Sequence, residues 1–274
     1  MEGKGGFLLQ GFLEKIFNSL KNVLSLNLFE FLKKWLTLLG DYGLYVGAVL
    51  VILIGMISSI RLESFSSFLY SIGFAVAFLI VQFISSKFNA INENLVNSNE
   101  TYMTSNGFTD ALAIFSIIAG IVYFFMNLYL AIKLPKFMPF LEGLGILIVF
   151  SLISLISFNP KLVSVKSVKK NSAGEEAIGI LGFFIKLAVK LVPFIYGVGI
   201  IFIVVSMIVN AVGIFGNKFE MAISWAKVFK AMVSLLIFGL LPFFAYLSFV
   251  FNFLLIDIIK SVLLIPEKLD KLSK

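Results

Sequence analysis

Apolar residues form several uninterrupted runs along this chain, each long enough to cross a bilayer as a helix. A helix rises about 1.5 Å per residue, so a hydrocarbon core of about 30 Å requires about 20 residues. Barrel strands would instead show short segments of alternating polarity, which this sequence lacks. The pattern predicts an all-α, polytopic transmembrane helical bundle, with spans near 43–60, 65–84, 111–132, 137–158, 192–215 and 231–256.

The first 42 residues follow a different pattern, in which apolar and polar side chains recur with helical spacing. In the segments FLEKIFNSL and FEFLKKWL, apolar residues return every three or four positions, with charged or amide residues opposite. Both segments are too polar to cross lipid comfortably. We therefore predict amphipathic interfacial helices over 1–42, which lie in the interface or on a neighbouring subunit, and a transmembrane domain over 43–274.

An asparagine-rich stretch from 85 to 110 separates the second and third predicted spans. It shows almost no apolar periodicity, which predicts a solvent-exposed loop. It also contains the sequon Asn99-Glu100-Thr101, which makes Asn99 a candidate glycosylation site. Both features favour a location outside the cell for this stretch.

The most basic loop lies between the fourth and fifth predicted spans. It carries Lys161, Lys166, Lys169 and Lys170, and lysine-rich loops of membrane proteins usually face the cytoplasm. With six spans, this loop shares one side of the membrane with the asparagine-rich stretch, so the two signals conflict. A seventh span would resolve the conflict, formed by the amino-terminal helices or by residues 177–191, which otherwise read as a re-entrant or interfacial helix.

Composition supports the membrane assignment and narrows the chemistry. Of the 274 residues, 60% are hydrophobic and 14% are charged, and the mean hydropathy is +1.05. The chain contains no cysteine and no histidine, which excludes the usual zinc and haem ligands and any Ser-His or Cys-His catalytic pair. No phosphate-binding loop is present. We therefore expect a protein that is not an enzyme and has no cofactor.

A few polar or helix-breaking residues inside the apolar runs are candidates for a conduit or gate. Ionisable groups in lipid are costly, so Glu142 would either face a pore or lie in the interface near the end of its span. We favour the interface. Asn127 and Asn210 would line a conduit or make interhelical hydrogen bonds. Pro242 predicts a kink in the sixth span, which would serve a gate or only the packing.

The order of these features resembles the polytopic inner-membrane subunit of type IV secretion and conjugation machines, including its counterpart in an archaeal DNA-import system. Such subunits are similar in placing short amphipathic helices before a glycine-rich first span, here YGLYVGAVLVILIGM. The resemblance implies a conduit or scaffold for DNA, with other membrane subunits and a separate cytoplasmic ATPase as partners. The lysines between 161 and 170 would then contact that ATPase or a DNA backbone, or would only set the topology.

Three functions therefore remain open. The leading hypothesis is a non-enzymatic component of a translocation machine in the cell membrane, with DNA as the transported substrate. The second is a stand-alone transporter or channel for a small solute or ion. The third is a structural membrane anchor that organises other subunits. A homo-oligomer is compatible with each of the three.

Overall fold

The computed structural model describes residues 26–104, 107–135, 137–167 and 172–272, and 92% of these are helical. This part of the chain contains seven α-helices and two short strands. In chain order they are α1 (Leu26–Leu62), α2 (Phe65–Ser98), β1 (Thr101–Met103), α3 (Gly107–Lys133), α4 (Phe137–Phe158), β2 (Val165–Ser167), α5 (Ala173–Val212), α6 (Lys218–Gly239) and α7 (Leu241–Leu272). The predicted all-α polytopic bundle is confirmed.

Six helical stretches among the described residues are long and apolar enough to cross a membrane. The first five correspond to α1 to α5, and the sixth comprises α6 and α7 together. Their most apolar windows are only 22% to 44% buried within the chain. Most of this apolar surface therefore faces lipid or other proteins.

Several predicted boundaries are wrong because the helices continue past the ends of the apolar runs. α1 shows no break at residue 42, so the second amphipathic segment and the first span form one helix. α2 extends through most of the predicted asparagine-rich loop. In α5, residues 177–191 are continuous with the fifth span and form no separate re-entrant helix. The first amphipathic segment, before residue 26, lies outside the described residues.

The long helices exceed the thickness of a bilayer. α1, α2 and α5 contain 37, 34 and 40 residues. At about 1.5 Å per residue they are about 50 to 60 Å long, whereas the hydrocarbon core is about 30 Å thick. About 20 to 30 Å of each helix therefore lies in the interface or in water.

The extension of α2 also weakens one of the two orientation signals, the polarity of the asparagine-rich stretch. Asn92 is buried, and both polar side-chain atoms of Asn89 are buried as well. Part of the polar composition of this stretch therefore belongs to the protein interior, whereas Asn94 and Asn97 are exposed. The sequon at Asn99 still favours an external location, whereas the lysine rule predicts that the loop between α4 and α5 faces the cytoplasm. We take the lysine rule as the orientation to be tested.

This orientation predicts the result of cysteine labelling, which is convenient because the chain contains no cysteine. Lys161 and Phe219 are both exposed, and six spans place them on opposite sides of the membrane. In intact cells, a membrane-impermeant maleimide should label Phe219→Cys and should label Lys161→Cys only after the membrane is opened. The reverse pattern would show that the orientation is inverted.

The chain divides into two compact units, Met1–Leu32 with Glu100–Phe183, and Lys33–Asn99 with Phe184–Lys274. In the first unit, α3 and α4 form a helical hairpin. Gly120 and Gly143 allow the two backbones to approach closely, because an added Cβ would come within 3 Å of the facing helix in each case. Strands β1 and β2 pair in parallel, with Tyr102 opposite Lys166.

In the second unit, parts of α1, α2, α5 and α6 enclose an apolar core that includes Leu44, Phe78 and Ile200. Gly43 and Gly47 on α1 contact Ile200 and Leu235 respectively, so this small-residue face packs within the chain. Close packing of this kind is the usual way in which membrane helices associate.

Two sets of polar contacts fix the end of the second unit at which α1 meets the turn between α5 and α6. The Arg61 guanidinium at the end of α1 donates a hydrogen bond to the Ile214 carbonyl at 2.7 Å. The α6 helix begins at Lys218 because Asn217 and Glu220 form a reciprocal capping box, in which each side chain accepts the other's backbone N–H. The turn between α5 and α6 is therefore anchored to the α1–α2 hairpin.

Candidate functional site

A line of buried polar contacts runs along one face of the second half of α2, within the second unit. Ser85, Asn89 and Asn92 recur at helical spacing, which places them on one face together with the neighbouring Glu93. Groups from α1, α5, α6 and α7 meet this face. We call the whole set the polar seam, which consists of Lys33, Asp41, Ser85, Asn89, Asn92, Glu93, Asn99, Lys186, Lys190 and Tyr196.

The charged part of the polar seam is centred on Glu93. Its carboxylate accepts a hydrogen bond from the Lys190 ammonium at 2.5 Å and lies 3.4 Å from the Lys33 ammonium. The side chain of Lys190 is only 3% exposed, whereas that of Glu93 is 31% exposed. A buried ammonium requires a counter-charge, so Glu93 is what allows Lys190 to lie in the protein interior.

Lys186 lies one turn before Lys190 on the same face of α5 and is completely buried. Its ammonium donates a hydrogen bond to the backbone carbonyl of Asn99, just beyond the end of α2. It also lies 6.0 Å from the centre of the Phe253 ring on α7. The two lysines of α5 thus hold the last turns of α2 against α5.

Asp41 and Tyr196 form the part of the polar seam closest to the apolar core. The Tyr196 hydroxyl donates to the Asp41 carboxylate at 2.8 Å, and the tyrosine side chain is fully buried. Gly40 leaves room for this contact, because an added Cβ there would collide with the Tyr196 ring. The absence of a side chain at Gly40 therefore lets the hydroxyl reach α1.

The junction of α6 and α7 supplies backbone carbonyls to the polar seam. α6 ends at Gly239 and α7 begins at Leu241, so the helix is interrupted at Leu240, two residues before Pro242; a role of Pro242 in a gate stays a prediction. The Ser85 hydroxyl donates to the Gly239 carbonyl, and the Asn92 amide donates to the Pro242 carbonyl at 2.9 Å. Two side chains of α2 therefore clamp both sides of the break.

Toward the beginning of α2, the next three buried residues before Ser85 are apolar. Ala75, Phe78 and Val81 are all buried, and Phe78 packs in the core with Leu44 and Leu235. The polar seam therefore ends at an apolar layer inside the second unit.

A second notable feature lies in the first unit, outside the membrane helices. We call it the surface platform: β1, β2 and the 3-10 turn Pro160–Val163. The Lys166 ammonium on β2 lies 2.5 Å from the Glu100 carboxylate, which also accepts a hydrogen bond from the Tyr102 hydroxyl at 2.5 Å. The hydrogen bond to Glu100 raises the pKa of Lys166 and also raises the pKa of Tyr102.

The first turns of α5 hold the surface platform in place. Both the backbone N–H and the hydroxyl of Thr104 donate to the Glu176 carboxylate at 2.6 Å. Gly179 lies directly beside the Tyr102 carbonyl, so that even a methyl group there would collide with backbone. Met103 and Val163 are buried beneath the platform. The platform is therefore a packed structure with its own small core.

The predicted conduit residues occupy different settings. Glu142 is exposed on α4. The amide of Asn127 donates to the Tyr123 carbonyl at 3.0 Å, and that of Asn210 donates to the Ser206 carbonyl at 2.7 Å. These hydrogen bonds are made within one helix, whereas the sequence predicted bonds between helices. A role of these residues in a conduit stays a prediction.

The remaining predicted residues lie at or near the end of α2 and on the surface platform. The Asn99 amide donates to the Leu95 carbonyl at 2.9 Å, and its glycosylation stays a prediction. Lys161 and Lys166 are exposed. Lys169 and Lys170 lie outside the described residues.

Sequence reasoning missed the charged centre of the polar seam. Lys186 and Lys190 are four positions apart and so share a helical face, but nothing in the sequence gives them a partner. Glu93 lies in the stretch that the sequence predicted to be a solvent-exposed loop, where a charged residue is ordinary. The available signal was the helical spacing of Ser85, Asn89 and Glu93, which matches one face of a helix, although nothing in the sequence pairs that face with α5.

The fold and these contacts define the class of the protein as an all-α, polytopic helical membrane protein. No family model matches the chain, and no curated protein or solved structure matches it.

Proposed function

We propose that this protein is a non-enzymatic, multi-pass subunit of a translocation machine in the cell membrane, most specifically one that transfers DNA and is driven by a separate cytoplasmic ATPase. The observation that carries the proposal is the surface platform, which presents lysines on a packed structure outside the membrane helices. We infer from its lysines that this platform lies on the cytoplasmic side of the membrane.

The surface platform has the properties of a docking site. Its backbone is fixed by the pairing of β1 with β2 and by the hydrogen bonds from Thr104 to Glu176, so a partner would pay little to order it. Lys161 is exposed, and the side chain of Lys166 is 59% exposed although it is paired with Glu100. Exposed lysines favour an acidic protein surface or a phosphate backbone.

The outer surface of the helices supports a role among other membrane subunits. The apolar windows of α3 and of the α6–α7 stretch are each only 22% buried within the chain. Lipid covers such surface, and helices of other subunits bind to it in the same way.

The polar seam favours a subunit over a self-contained channel. Its polar contacts stop at the buried apolar layer that contains Phe78 and Leu44. Its charged groups are engaged with one another, as Glu93 is with Lys190. Contacts of this kind hold the helices in place, and transport would then be carried out together with partner subunits.

The proposal is tested by deleting the gene and measuring DNA transfer between marked strains. We expect the deletion to abolish transfer and the wild-type gene to restore it. A Lys161→Glu, Lys166→Gln variant should restore at most a tenth of the transfer and should lose co-purification of an ATPase. The matched control is Lys227→Glu, which changes an exposed lysine on α6 and should restore transfer fully. Unchanged transfer in the deletion strain would refute the proposal.

A reconstitution experiment separates this proposal from a stand-alone transporter. The purified protein in liposomes should show no saturable solute or ion flux by itself. A saturable flux that Glu142→Gln alters would instead establish the transporter hypothesis.

A further inference from the structure

We propose that the break between α6 and α7, together with Asn89 and Asn92 of α2, forms a binding site for a monovalent metal cation. The proposal rests on three observations: the backbone carbonyls at the break, the buried side-chain atoms of Asn89 and Asn92 that have no hydrogen-bond partner, and the charges around them.

The break turns backbone carbonyls toward α2. The last carbonyls of a helix lack intrahelical partners and carry a partial negative charge, and Pro242 has no N–H to offer them. The Gly239 carbonyl, in the last turn of α6, and the Pro242 carbonyl, in the first turn of α7, both face α2, since they accept hydrogen bonds from Ser85 and Asn92. Interrupted membrane helices use such carbonyls to coordinate cations.

Two asparagines at this position have buried atoms without partners. Asn92 is 4% exposed, and its amide nitrogen donates to Pro242 while its Oδ1 atom is buried and accepts no hydrogen bond. Asn89 lies between Ser85 and Asn92 on the same face, and both of its polar side-chain atoms are buried and unpaired. An unpaired buried polar group is costly, so a native structure has a reason to keep one.

The surrounding charges select the kind of ion. The candidate ligands are amide and carbonyl oxygens, without a carboxylate among them, and calcium and magnesium sites usually include carboxylates. Glu93 follows Asn92 directly and supplies negative charge nearby, but Lys190 and Lys33 already engage its carboxylate. The Asp41 carboxylate accepts a hydrogen bond from the Tyr196 hydroxyl. With two ammonium groups close by, the site suits a single positive charge.

The test is the thermal unfolding of the purified full chain in detergent. The midpoint is measured in lithium, sodium, potassium and choline chloride at equal ionic strength. One alkali cation should raise the midpoint saturably by about 5 °C relative to choline, because a ligand that binds only the folded state stabilises it. Equilibrium dialysis with that ion should give about one ion per chain.

Asn89→Leu is the decisive variant, because it removes no hydrogen bond of the folded protein and is therefore expected to fold. It should abolish the ion-specific rise and the ion binding. The matched control Asn210→Leu, whose amide bonds to Ser206 of its own helix, should retain both. Equal midpoints in all four salts, or an ion-specific rise that persists in Asn89→Leu, would overturn the proposal.

Discussion

Replacement of Glu93 by glutamine is expected to lower the thermal unfolding midpoint in detergent by about 10 °C, the largest loss among single charge substitutions in the polar seam. The substitution leaves the Lys190 ammonium, whose side chain is 3% exposed, without its carboxylate partner. Removal of one member of a buried ion pair typically costs about 3 to 5 kcal/mol, and each kcal/mol shifts the midpoint of a chain this size by about 2 to 4 °C.

The double variant Glu93→Gln, Lys190→Met provides the mechanism control. It removes both charges and should recover most of the lost midpoint, because an apolar replacement of a buried ion pair is often neutral. Glu142→Gln is the matched single control, since Glu142 is exposed and should be replaced with little effect. If the double variant unfolds at the same temperature as Glu93→Gln, the loss does not come from the buried ammonium.

Gly197→Ala should destabilise the protein by about 3 kcal/mol or more, because the contact it disturbs involves backbone. An added Cβ at this position would lie 2.2 Å from the Leu36 carbonyl oxygen, and a backbone atom cannot move aside as the end of a side chain can. α1 and α5 would have to separate. Unfolding in denaturing detergent and size-exclusion chromatography would measure the loss.

Gly73→Ala is the paired control for this prediction. A Cβ at Gly73 meets nothing within 4 Å, and alanine favours a helix over glycine by about 1 kcal/mol. The variant should therefore be as stable as the wild type or slightly more stable. Equal destabilisation by both substitutions would show that close packing at Gly197 is not the cause.

The membrane helices could be predicted because apolar run length is a local property, but their ends could not. A helix continues as long as its backbone bonds and its neighbours support it, and polar residues do not stop it when they have partners. Asn92 illustrates this, since its amide bonds to Pro242 from a stretch that reads as a loop. Tertiary contacts override the low helix propensity of asparagine there.

The polar seam could not be predicted from the sequence, and the reason is a different one. Glu142, Asn127 and Asn210 were predictable candidates because they are polar residues inside apolar runs. The charged centre lies outside those runs, where polar residues are ordinary. Glu93 and Lys190 are also 97 positions apart, so only the folded chain shows that they form a pair.

The uninterrupted length of α1 has a mechanical consequence. The same helix carries Lys33 near its beginning and Leu44 in the apolar core, without a loop between them. A helix resists bending and stretching over such a distance, so a displacement at Lys33 is carried about 16 Å along the axis to Leu44. A partner that displaces the Lys33 end of α1 would thus also move Leu44 and the apolar core, without itself entering the lipid.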